Sequence, residues 1–444
     1  MEKHLLPIEM LHNAGYEAYF VGGCTRDCLL ARPLSDIDIT TNALPEEIKT
    51  VFSAYRTLDI GIKHGTVTVM MENASYEITT YRHDGDYADH RHPTKVRFGV
   101  SLREDLSRRD FTVNAIAYDG GSDYKDPFGG KGDIENKIIR CVGQASLRFE
   151  EDALRILRGL RFASVLGFSV EENTARAMRE KKHLLRFVSA ERVYGELTKL
   201  LMGDDAAEIL MQYSDILDPV LPELADMRGF DQKNPHHIYD VLTHTLTALR
   251  HAERDLVLRL AVLFHDCGKP HTFSLDENGV GHFYGHAKKS VALAEVRLCA
   301  LKVDNRTKMR VLRLVEHHDS PPEESLSQVV RRMRKLEDDY PLLVALRRAD
   351  NKGQAPRYHR TELHDKCMEM YREAMTADEE KTGRRLSLDG NDLLKAGALP
   401  GKNIGSVLSF LSDAVLENKT ENEKEALLSY AKTHFKDGFK HETK

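Results

Sequence analysis

The stretch VGGCTRDCLLARPLSDIDITT, Val21–Thr41, combines a double glycine with two aspartates that a single isoleucine separates. In SDIDIT, Asp36 and Asp38 alternate with isoleucines, and this period of two places both carboxylates on one face of a β-strand. Two neighbouring carboxylates repel each other unless a cation lies between them. The pattern therefore predicts a strand that holds a divalent metal.

The double glycine predicts a phosphate-binding turn. Gly22 and Gly23 follow EAYFV, which is predicted to be a strand, and Arg26 lies one helical turn further on. Glycines at the end of a strand let the backbone approach a ligand, and the N-terminus of the next helix offers free N–H groups to phosphate. Taken alone, a double glycine is usually only a turn and a DxD pair only a solvated strand edge. In this order and spacing, the two motifs together are a much stronger indication of a catalytic site.

A third carboxylate is needed from a neighbouring strand. Glu77 in SYEITTYR is the best candidate, because TVTVMM and YEITTYR read as the two arms of a hairpin. Two metals held between such carboxylates activate an attacking hydroxyl and stabilise a departing pyrophosphate. We therefore predict that Asp36, Asp38 and Glu77 are catalytic.

The composition indicates a globular chain of several domains. Its 444 residues exceed what one hydrophobic core supports, and its net charge of -6 gives no global signature for nucleic acid. A local basic groove can still bind phosphate. The six cysteines form no CxxC pair, and no apolar run approaches membrane length. We expect a cytoplasmic protein with no membrane partner; no pattern sets its oligomeric state.

Several segments resemble one family in chain order. GGCTRDCLLARPLSDIDITT resembles the signature of the DNA-polymerase-β-type nucleotidyltransferases, in the bacterial class II branch of CCA-adding tRNA nucleotidyltransferases and related poly(A) polymerases. RRDFTVNA resembles the ribose-contacting motif of that family, DPFGGKGDI its interdomain turn, EEDALRILR its base-reading helix, and ERVYGELTKLL the helix behind that reader. The resemblance implies Mg²⁺ bound by Asp36 and Asp38, and transfer from CTP and ATP to the 3′ end of tRNA.

Asp152 and Arg155 are three residues apart, which places them on one face of a predicted helix. A carboxylate accepts and a guanidinium donates, so this pair can imitate the Watson–Crick edge of a base. The resemblance assigns it the selection of CTP and ATP, and Arg158 is expected to fix Asp152 or to reach phosphate. Without the upstream motifs, the pair would be an exposed ion pair worth less than about 1 kcal/mol.

The same resemblance assigns Arg109 and Asp110 to the triphosphate and the ribose 2′-hydroxyl, and gives Asn114 a structural role. The polar segment Arg82–Gly99 resembles the loop that helps the switch from C to A addition. CC-adding relatives are shortened there and this chain is not, which favours full CCA addition or A addition.

A second candidate site lies in a histidine-rich segment, since ten of the 21 histidines lie between His236 and His318. HDCGKP follows an apolar stretch that reads as a helix. The pattern resembles the HD superfamily of metal-dependent phosphohydrolases, and neutral imidazole with carboxylate suits Mn, Ni, Co, Fe or Zn. The resemblance implies two ligand sets: His244, His265, Asp266 and Asp350 for one metal, and His286 with His317 or its neighbour His318 for a possible second. A vestigial site or a tRNA-supporting body are the alternatives to hydrolysis.

The predicted fold class is α+β. We expect a polymerase-β-like nucleotidyltransferase head with a small mixed sheet (1–140), a helical neck with base recognition (141–224), an HD body (225–355) and a helical tail that contacts tRNA (356–444). The leading function is template-independent CCA addition. A-only addition and poly(A) synthesis share its motifs, and a more distant alternative is an enzyme that makes and hydrolyses a signalling nucleotide.

Overall fold

The chain divides into two units, one comprising Met1–Phe230 with Glu295–Asp304 and the other Asp231–Ala294 with Asn305–Lys444. The computed structural model describes residues 2–34, 36–59, 61–71, 74–85, 96–121, 123–376 and 385–435. A sheet with helices opens the first unit and helices dominate the second. This architecture confirms the predicted α+β class. Among the described residues, no helix has the length and apolarity needed to cross a membrane.

The head of the first unit contains a mixed seven-stranded sheet, in the order β3-β4-β5-β2-β1-β8-β9. Among the described residues of this sheet, only the pairing of β2 with β5 is parallel, and the other pairings are antiparallel. The strands of this unit are β1 (Ala18–Val21), β2 (Ile37–Thr41), β3 (Arg56–Leu58), β4 (Thr66–Met71), β5 (Ala74–Thr80), β6 (Arg82–Asp84), β7 (Val96–Phe98), β8 (Ala117–Tyr118), β9 (Tyr124–Lys125), β10 (Ile138–Ile139) and β11 (Ser169–Val170).

Helices flank this sheet and build the neck. They are α1 (Leu6–Asn13), α2 (Gly23–Leu29), α3 (Pro45–Val51), α4 (Leu102–Ser107), α5 (Gly130–Glu135), α6 (Ala145–Glu151), α7 (Leu154–Leu166), α8 (Glu172–Lys181), α9 (Ala190–Leu201), α10 (Ala206–Tyr213) and α11 (Glu223–Met227). Short 3₁₀ helices of the same unit cover Glu2–His4, Ile62–His64, Thr112–Asn114, Lys182–Phe187 and Ser214–Leu217.

In β2, the two isoleucines of SDIDIT face the core, as the alternating pattern predicts. Ile37 and Ile39 are 5% and 1% exposed and join the core cluster of the head. Burial of an isoleucine side chain contributes about 1.5–3 kcal/mol, so the strand is fixed with this face inward. Asp38 must then project from the opposite face.

The prediction of one continuous helix through EEDALRILR is wrong. The chain leaves helical geometry at Asp152, where φ is −141° and ψ is 103°, and α7 begins only at Leu154. Oδ1 of Asp152 accepts from the backbone N–H of Leu154 at 3.0 Å, so this side chain caps a new helix. Further along the chain, a 3₁₀ turn occupies Thr112–Asn114 before the two-residue β8. DPFGGKGDI, the segment that resembles the interdomain turn, contains the start of the short helix α5.

The second unit is a helical body with a tail of three helices. Its elements are α12 (Val241–His251), α13 (Leu256–Phe264), α14 (His286–Ala300, whose last residues belong to the first unit), α15 (Asn305–His317), α16 (Leu326–Leu336), α17 (Tyr340–Gly353), α18 (Thr361–Thr376), α19 (Gly390–Lys395), α20 (Lys402–Leu416) and α21 (Lys424–His434), the strands β12 (Ser274–Leu275) and β13 (Gly281–His282), and 3₁₀ helices at Lys269–His271, Glu337–Asp339 and Pro356–Tyr358. The tail has its own core, built on Leu393, Val407, Leu411 and Leu427.

Part of the polar segment Arg82–Gly99 lies outside the described residues, namely 86–95. Its described ends form the antiparallel pair β6–β7, in which Arg82 faces Phe98. The four-part domain division stays a prediction.

Candidate active site and metal centre

The turn between β1 and α2 brings backbone close to two predicted site residues. Gly22 has φ +70°, a conformation that favours glycine. A Cβ at this position would lie 3.1 Å from Oδ2 of Asp38 and 3.4 Å from Nη1 of Arg109. A Cβ at Gly23 would lie 3.7 Å from Nη2 of Arg26. Side chains here would therefore fill the space between a carboxylate and two guanidiniums, where a ligand phosphate fits.

The three carboxylates predicted to be catalytic lie on or beside neighbouring strands. Asp38 pairs in register with Glu77 across β2 and β5, and Asp36 immediately precedes β2. Burial raises the pKa of the Asp38 carboxyl; Arg109 opposes this rise, whereas Glu77 and Asp36 add to it. Mutually repelling oxygen ligands fit a hard divalent cation. Asp36 and Asp38 line the cleft described next, whereas Glu77 is not among its lining residues.

A cleft of about 450 Å³ in the first unit collects most of the predicted nucleotide-binding residues. Seven arginines line it, and each is paired with a carboxylate. The pairs are Arg26–Asp27, Arg108–Asp105, Arg109–Asp105, Arg155–Glu151, Arg158–Asp110, Arg161–Glu196 and Arg192–Asp152. Such a concentration of guanidiniums in a concave site favours a ligand with several phosphates.

Asp110 is buried at the centre of a hydrogen-bond network in this cleft. Its Oδ1 accepts from the side chain of Asn114 at 3.0 Å, and its Oδ2 accepts from Nε of Arg158 at 2.7 Å. Burial acts to raise the pKa of this carboxyl, but Arg158 and Asn114 together hold it well below its usual value. Asn114 in turn accepts from Arg26 at 2.7 Å. Arg158 therefore holds Asp110 instead of the expected Asp152.

Asp152 and Arg155 lie on either side of the break between α6 and α7, and both line the cleft. Arg192 on α9 donates to Oδ2 of Asp152 at 2.8 Å. Arg155 donates to Glu151 at 2.7 Å and to the backbone carbonyl of Arg108 at 3.0 Å. The two side chains are therefore held by separate partners and not by each other.

The sequence did not single out several residues of this cleft, among them Arg161, Phe162 and Arg192. A signal existed for Arg161, because it continues the three-residue spacing of Arg155 and Arg158 along α7. Arg192 lies in the segment ERVYGELTKLL, whose place behind the base reader was expected without any residue being named. Nothing in the sequence distinguished Phe162 from a core residue.

In the second unit, four predicted ligands come together. Nε2 of His244 lies 2.8 Å from Oδ1 of Asp350 and 3.4 Å from Oδ2 of Asp266. Nε2 of His265 lies 3.3 and 3.4 Å from the same two carboxylates but makes no hydrogen bond to either. His244, His265 and Asp266 are buried. Buried imidazole nitrogens that converge on two carboxylates fit a metal ion, which would bind these atoms.

A second group shares Asp266. His286, His318 and Asp266 place their ligand atoms within 4.8 Å of one another. The predicted His317 lies elsewhere: its Nδ1 is 3.3 Å from Arg332. Adjacent residues at the end of a helix point about 100° apart, so only one of the two histidines can face the cluster. Nδ1 of His318 is 2.7 Å from the carbonyl of Val315, which orients the ring with Nε2 toward His286, 3.2 Å away.

The comparisons with known proteins agree with this geometry. A family described as the poly A polymerase head domain matches residues 18–140, one described as a probable RNA- and SrmB-binding site of polymerase A matches 167–228, and one described as a putative tRNA nucleotidyltransferase domain 2 matches 283–431. Sheet, cleft and matched families together define a nucleotidyltransferase with a polymerase-type head.

Individual relatives point to a narrower family than the family models do. The chain is 34% identical to the CCA-adding enzyme of Streptococcus pyogenes serotype M5 over 95% of its own length and 94% of the relative. It is 52% identical to that of Geobacillus thermodenitrificans, but this match spans only 49% of the chain and 54% of the relative, so about half of each. The chain belongs to the family of CCA-adding enzymes. The predicted resemblance to the class II CCA-adding tRNA nucleotidyltransferases is thereby confirmed.

Solved structures show the same fold. The CCA-adding enzyme of Bacillus stearothermophilus in complex with CTP has a TM-score of 0.73 and 30% identity, over 98% of this chain and 97% of that one. The Thermotoga maritima enzyme complexed with tRNA has a TM-score of 0.61 at 18% identity, over 96% and 94%.

Proposed function

We propose that this chain is a template-independent tRNA nucleotidyltransferase that adds CCA to the 3′ end of tRNA from CTP and ATP and releases pyrophosphate. The observation that carries the proposal is the single cleft that holds Asp36, Asp38, Asp152, Arg155 and the glycine turn. The full-length match to a CCA-adding enzyme supports it. Because tRNA and both nucleotides are cytoplasmic, a cytoplasmic location belongs to the proposal.

The reacting groups meet at the carboxylates beside the glycine turn. Asp36 and Asp38, with Glu77 on the adjacent strand, would hold divalent metal, expected to be Mg²⁺. When bound, such ions activate the attacking hydroxyl and stabilise the departing pyrophosphate. The backbone at Gly22 leaves room for phosphate, and Arg109 beside it supplies positive charge.

Base selection follows from donor and acceptor chemistry. Cytosine and adenine both present an exocyclic amine that donates and a ring nitrogen that accepts, whereas uracil and guanine present the reverse. The carboxylate of Asp152 accepts from the amine, and the guanidinium of Arg155 donates to the ring nitrogen. One pair therefore suits both nucleotides and rejects the other two. Asp110 accepts from the ribose 2′-hydroxyl and so favours ribonucleotides.

The test uses three tRNA transcripts that end before CCA, after C and after CC, each supplied with Mg²⁺ and labelled CTP or ATP. The expected result is two C and one A on the shortest transcript, lost in Asp36→Ala. Addition of A only to the CC-ended transcript would make the enzyme an A-adding specialist, and long A tracts would make it a poly(A) polymerase. No incorporation on any transcript would overturn the proposal.

A second activity is favoured by the histidine cluster. The buried ligand set fits a transition metal, Mn, Ni, Co, Fe or Zn, and the shared Asp266 would serve both groups of ligands. We propose metal-dependent hydrolysis of a phosphate ester, such as a 2′,3′-cyclic phosphate at a damaged 3′ end. Metal-loaded protein is expected to open a nucleoside 2′,3′-cyclic phosphate, and His265→Asn is expected to lose this activity while CCA addition stays. Equal hydrolysis by both proteins would contradict the assignment.

A further inference from the structure

Three guanidiniums of the nucleotide cleft surround one aromatic ring, that of Phe162 on α7. The central carbons of Arg26, Arg158 and Arg161 lie 5.0, 5.4 and 3.8 Å from the centre of this ring. Phe162 is 5% exposed, and all four residues line the cleft. A guanidinium within about 6 Å of an aromatic ring is attracted by its quadrupole, with about 0.5–2 kcal/mol per contact.

Two of these guanidiniums, those of Arg26 and Arg158, are connected by a chain of hydrogen bonds, whereas Arg161 pairs with Glu196. Arg26 donates to Asn114, Asn114 donates to Asp110, and Asp110 accepts from Arg158. Phe162 lies beside both ends of this chain of hydrogen bonds. Arg26 also lies next to the backbone of Gly23, at the turn where a phosphate fits.

Three cations around one ring must also overcome their mutual repulsion. Burial lowers the pKa of Arg161, and the charges of Arg158 and Arg26 lower it further, whereas its partner Glu196 opposes this effect. A leucine at 162 would keep an apolar side chain, smaller than the ring, without attracting any of these charges. The aromatic ring is therefore chemically specific at this position, beyond its contribution to packing.

We propose that Phe162 is a positioning residue that gathers Arg26, Arg158 and Arg161 into one binding site for the triphosphate of the incoming nucleotide. The inference rests on the proposed function, because that function makes a nucleoside triphosphate the ligand. The binding of phosphate can nevertheless be measured without nucleotidyl transfer. Each of the three guanidiniums is paired with its own carboxylate, and the ring is the group that all three share, so it keeps them together before a polyanion arrives.

The test compares Phe162→Leu with Phe162→Tyr, which keeps an aromatic ring, in the full-length protein. Phe168→Leu is the matched control, because Phe168 is a buried aromatic of the same unit that makes none of these cation contacts. Calorimetry measures the binding of CTP, cytidine and inorganic tripolyphosphate, and steady-state assays measure KM for CTP and for tRNA.

Phe162→Leu is expected to weaken CTP and tripolyphosphate binding about tenfold. Cytidine affinity and the KM for tRNA are expected to stay unchanged, and Phe162→Tyr is expected to restore most of the lost affinity. Unchanged tripolyphosphate binding, an equal loss for cytidine, or a rise confined to the KM for tRNA would each overturn the inference. If wild type binds tripolyphosphate but adds no nucleotide to tRNA, the proposed function fails while this test still decides the role of Phe162.

Discussion

The nucleotide cleft of the first unit and the histidine cluster of the second have opposite electrostatic designs. The cleft is lined by seven arginines, each paired with a carboxylate, and suits a polyanion. The cluster combines buried imidazoles with the buried carboxylate of Asp266 and the partly buried one of Asp350, whose negative charge suits a cation. The cleft thus offers guanidinium donors to a polyanion, and the cluster offers imidazole and carboxylate ligands to a cation. Damage to one site should therefore leave the other intact.

The largest difference between the effects on the two sites is expected from Asp38→Asn. The amide keeps the size of the side chain but removes a metal-binding charge between the glycine turn and Glu77. Nucleotide addition to tRNA should fall by at least about a thousandfold, because the charge stabilisation that metal supplies is worth several kcal/mol. Incorporation of labelled nucleotide, resolved on a gel, measures this loss. Metal binding at the histidine cluster should stay unchanged in the same variant. Residual addition within tenfold of wild type would remove Asp38 from the catalytic set.

The reciprocal change is His265→Asn. His265 is fully buried between the carboxylates of Asp266 and Asp350, so its loss should weaken Mn²⁺ binding by more than about a hundredfold. Elemental analysis and calorimetry measure the metal, and CCA addition should be retained. His251→Asn, on the same helix as His244 but exposed, is the matched control. If the metal content stays at the wild-type value, the cluster is not the metal centre.

A smaller effect is expected on stability from Asp110→Asn. Because Arg158 and Asn114 hold the folded-state pKa of Asp110 below its ordinary value near 3.8, the carboxylate stabilises the folded state above that pH and ceases to do so as the pH falls through the folded pKa. At neutral pH the substitution should lower the free energy of unfolding by about 2 kcal/mol, and this difference should shrink below pH 4.

Denaturant titrations followed by circular dichroism at several pH values measure that difference. Asp59→Asn, which disturbs only an exposed pair with Lys49, serves as the control and should change nothing measurable. A difference that is the same at pH 3 and pH 7 would show that the charge of Asp110 is not the source of the stability.

The smallest expected effect concerns fidelity. Arg192→Gln removes the guanidinium that holds Asp152, while Asp152 still caps α7 through Leu154. The carboxylate should then sample other orientations, and misincorporation of U relative to C should rise about tenfold, which corresponds to the loss of one charge-assisted hydrogen bond. Arg179→Gln, which breaks a comparable pair with Asp215, should leave fidelity unchanged. Unchanged fidelity in both variants would assign Arg192 a purely structural role.

Local patterns in the sequence predicted much of this arrangement. The alternation of Asp36, Ile37, Asp38 and Ile39 specified which face of β2 is buried, because side chains on a strand alternate. The hairpin predicted around Glu77 is present as β4 and β5, and β5 lies beside β2. The HD motif could be connected to distant histidines because each follows or lies within an apolar segment.

What the sequence could not provide depends on three-dimensional contacts. The break at Asp152 exists because its side chain caps α7 and pairs with Arg192, 40 residues further along the chain. The choice of His318 over His317 depends on where α15 ends, and helix ends are poorly determined by periodicity. The sequence does not distinguish Phe162 from other core aromatics, because its three guanidinium neighbours come together around the ring only in the folded chain.

The most direct test of the central claim is to sequence the 3′ ends that the wild-type enzyme makes on a tRNA transcript lacking CCA, with all four ribonucleoside triphosphates present. If Asp152 and Arg155 read the base as proposed, the products end in CCA and contain neither U nor G. Tracts of A, or U and G at the frequency of the supplied nucleotides, would contradict the account.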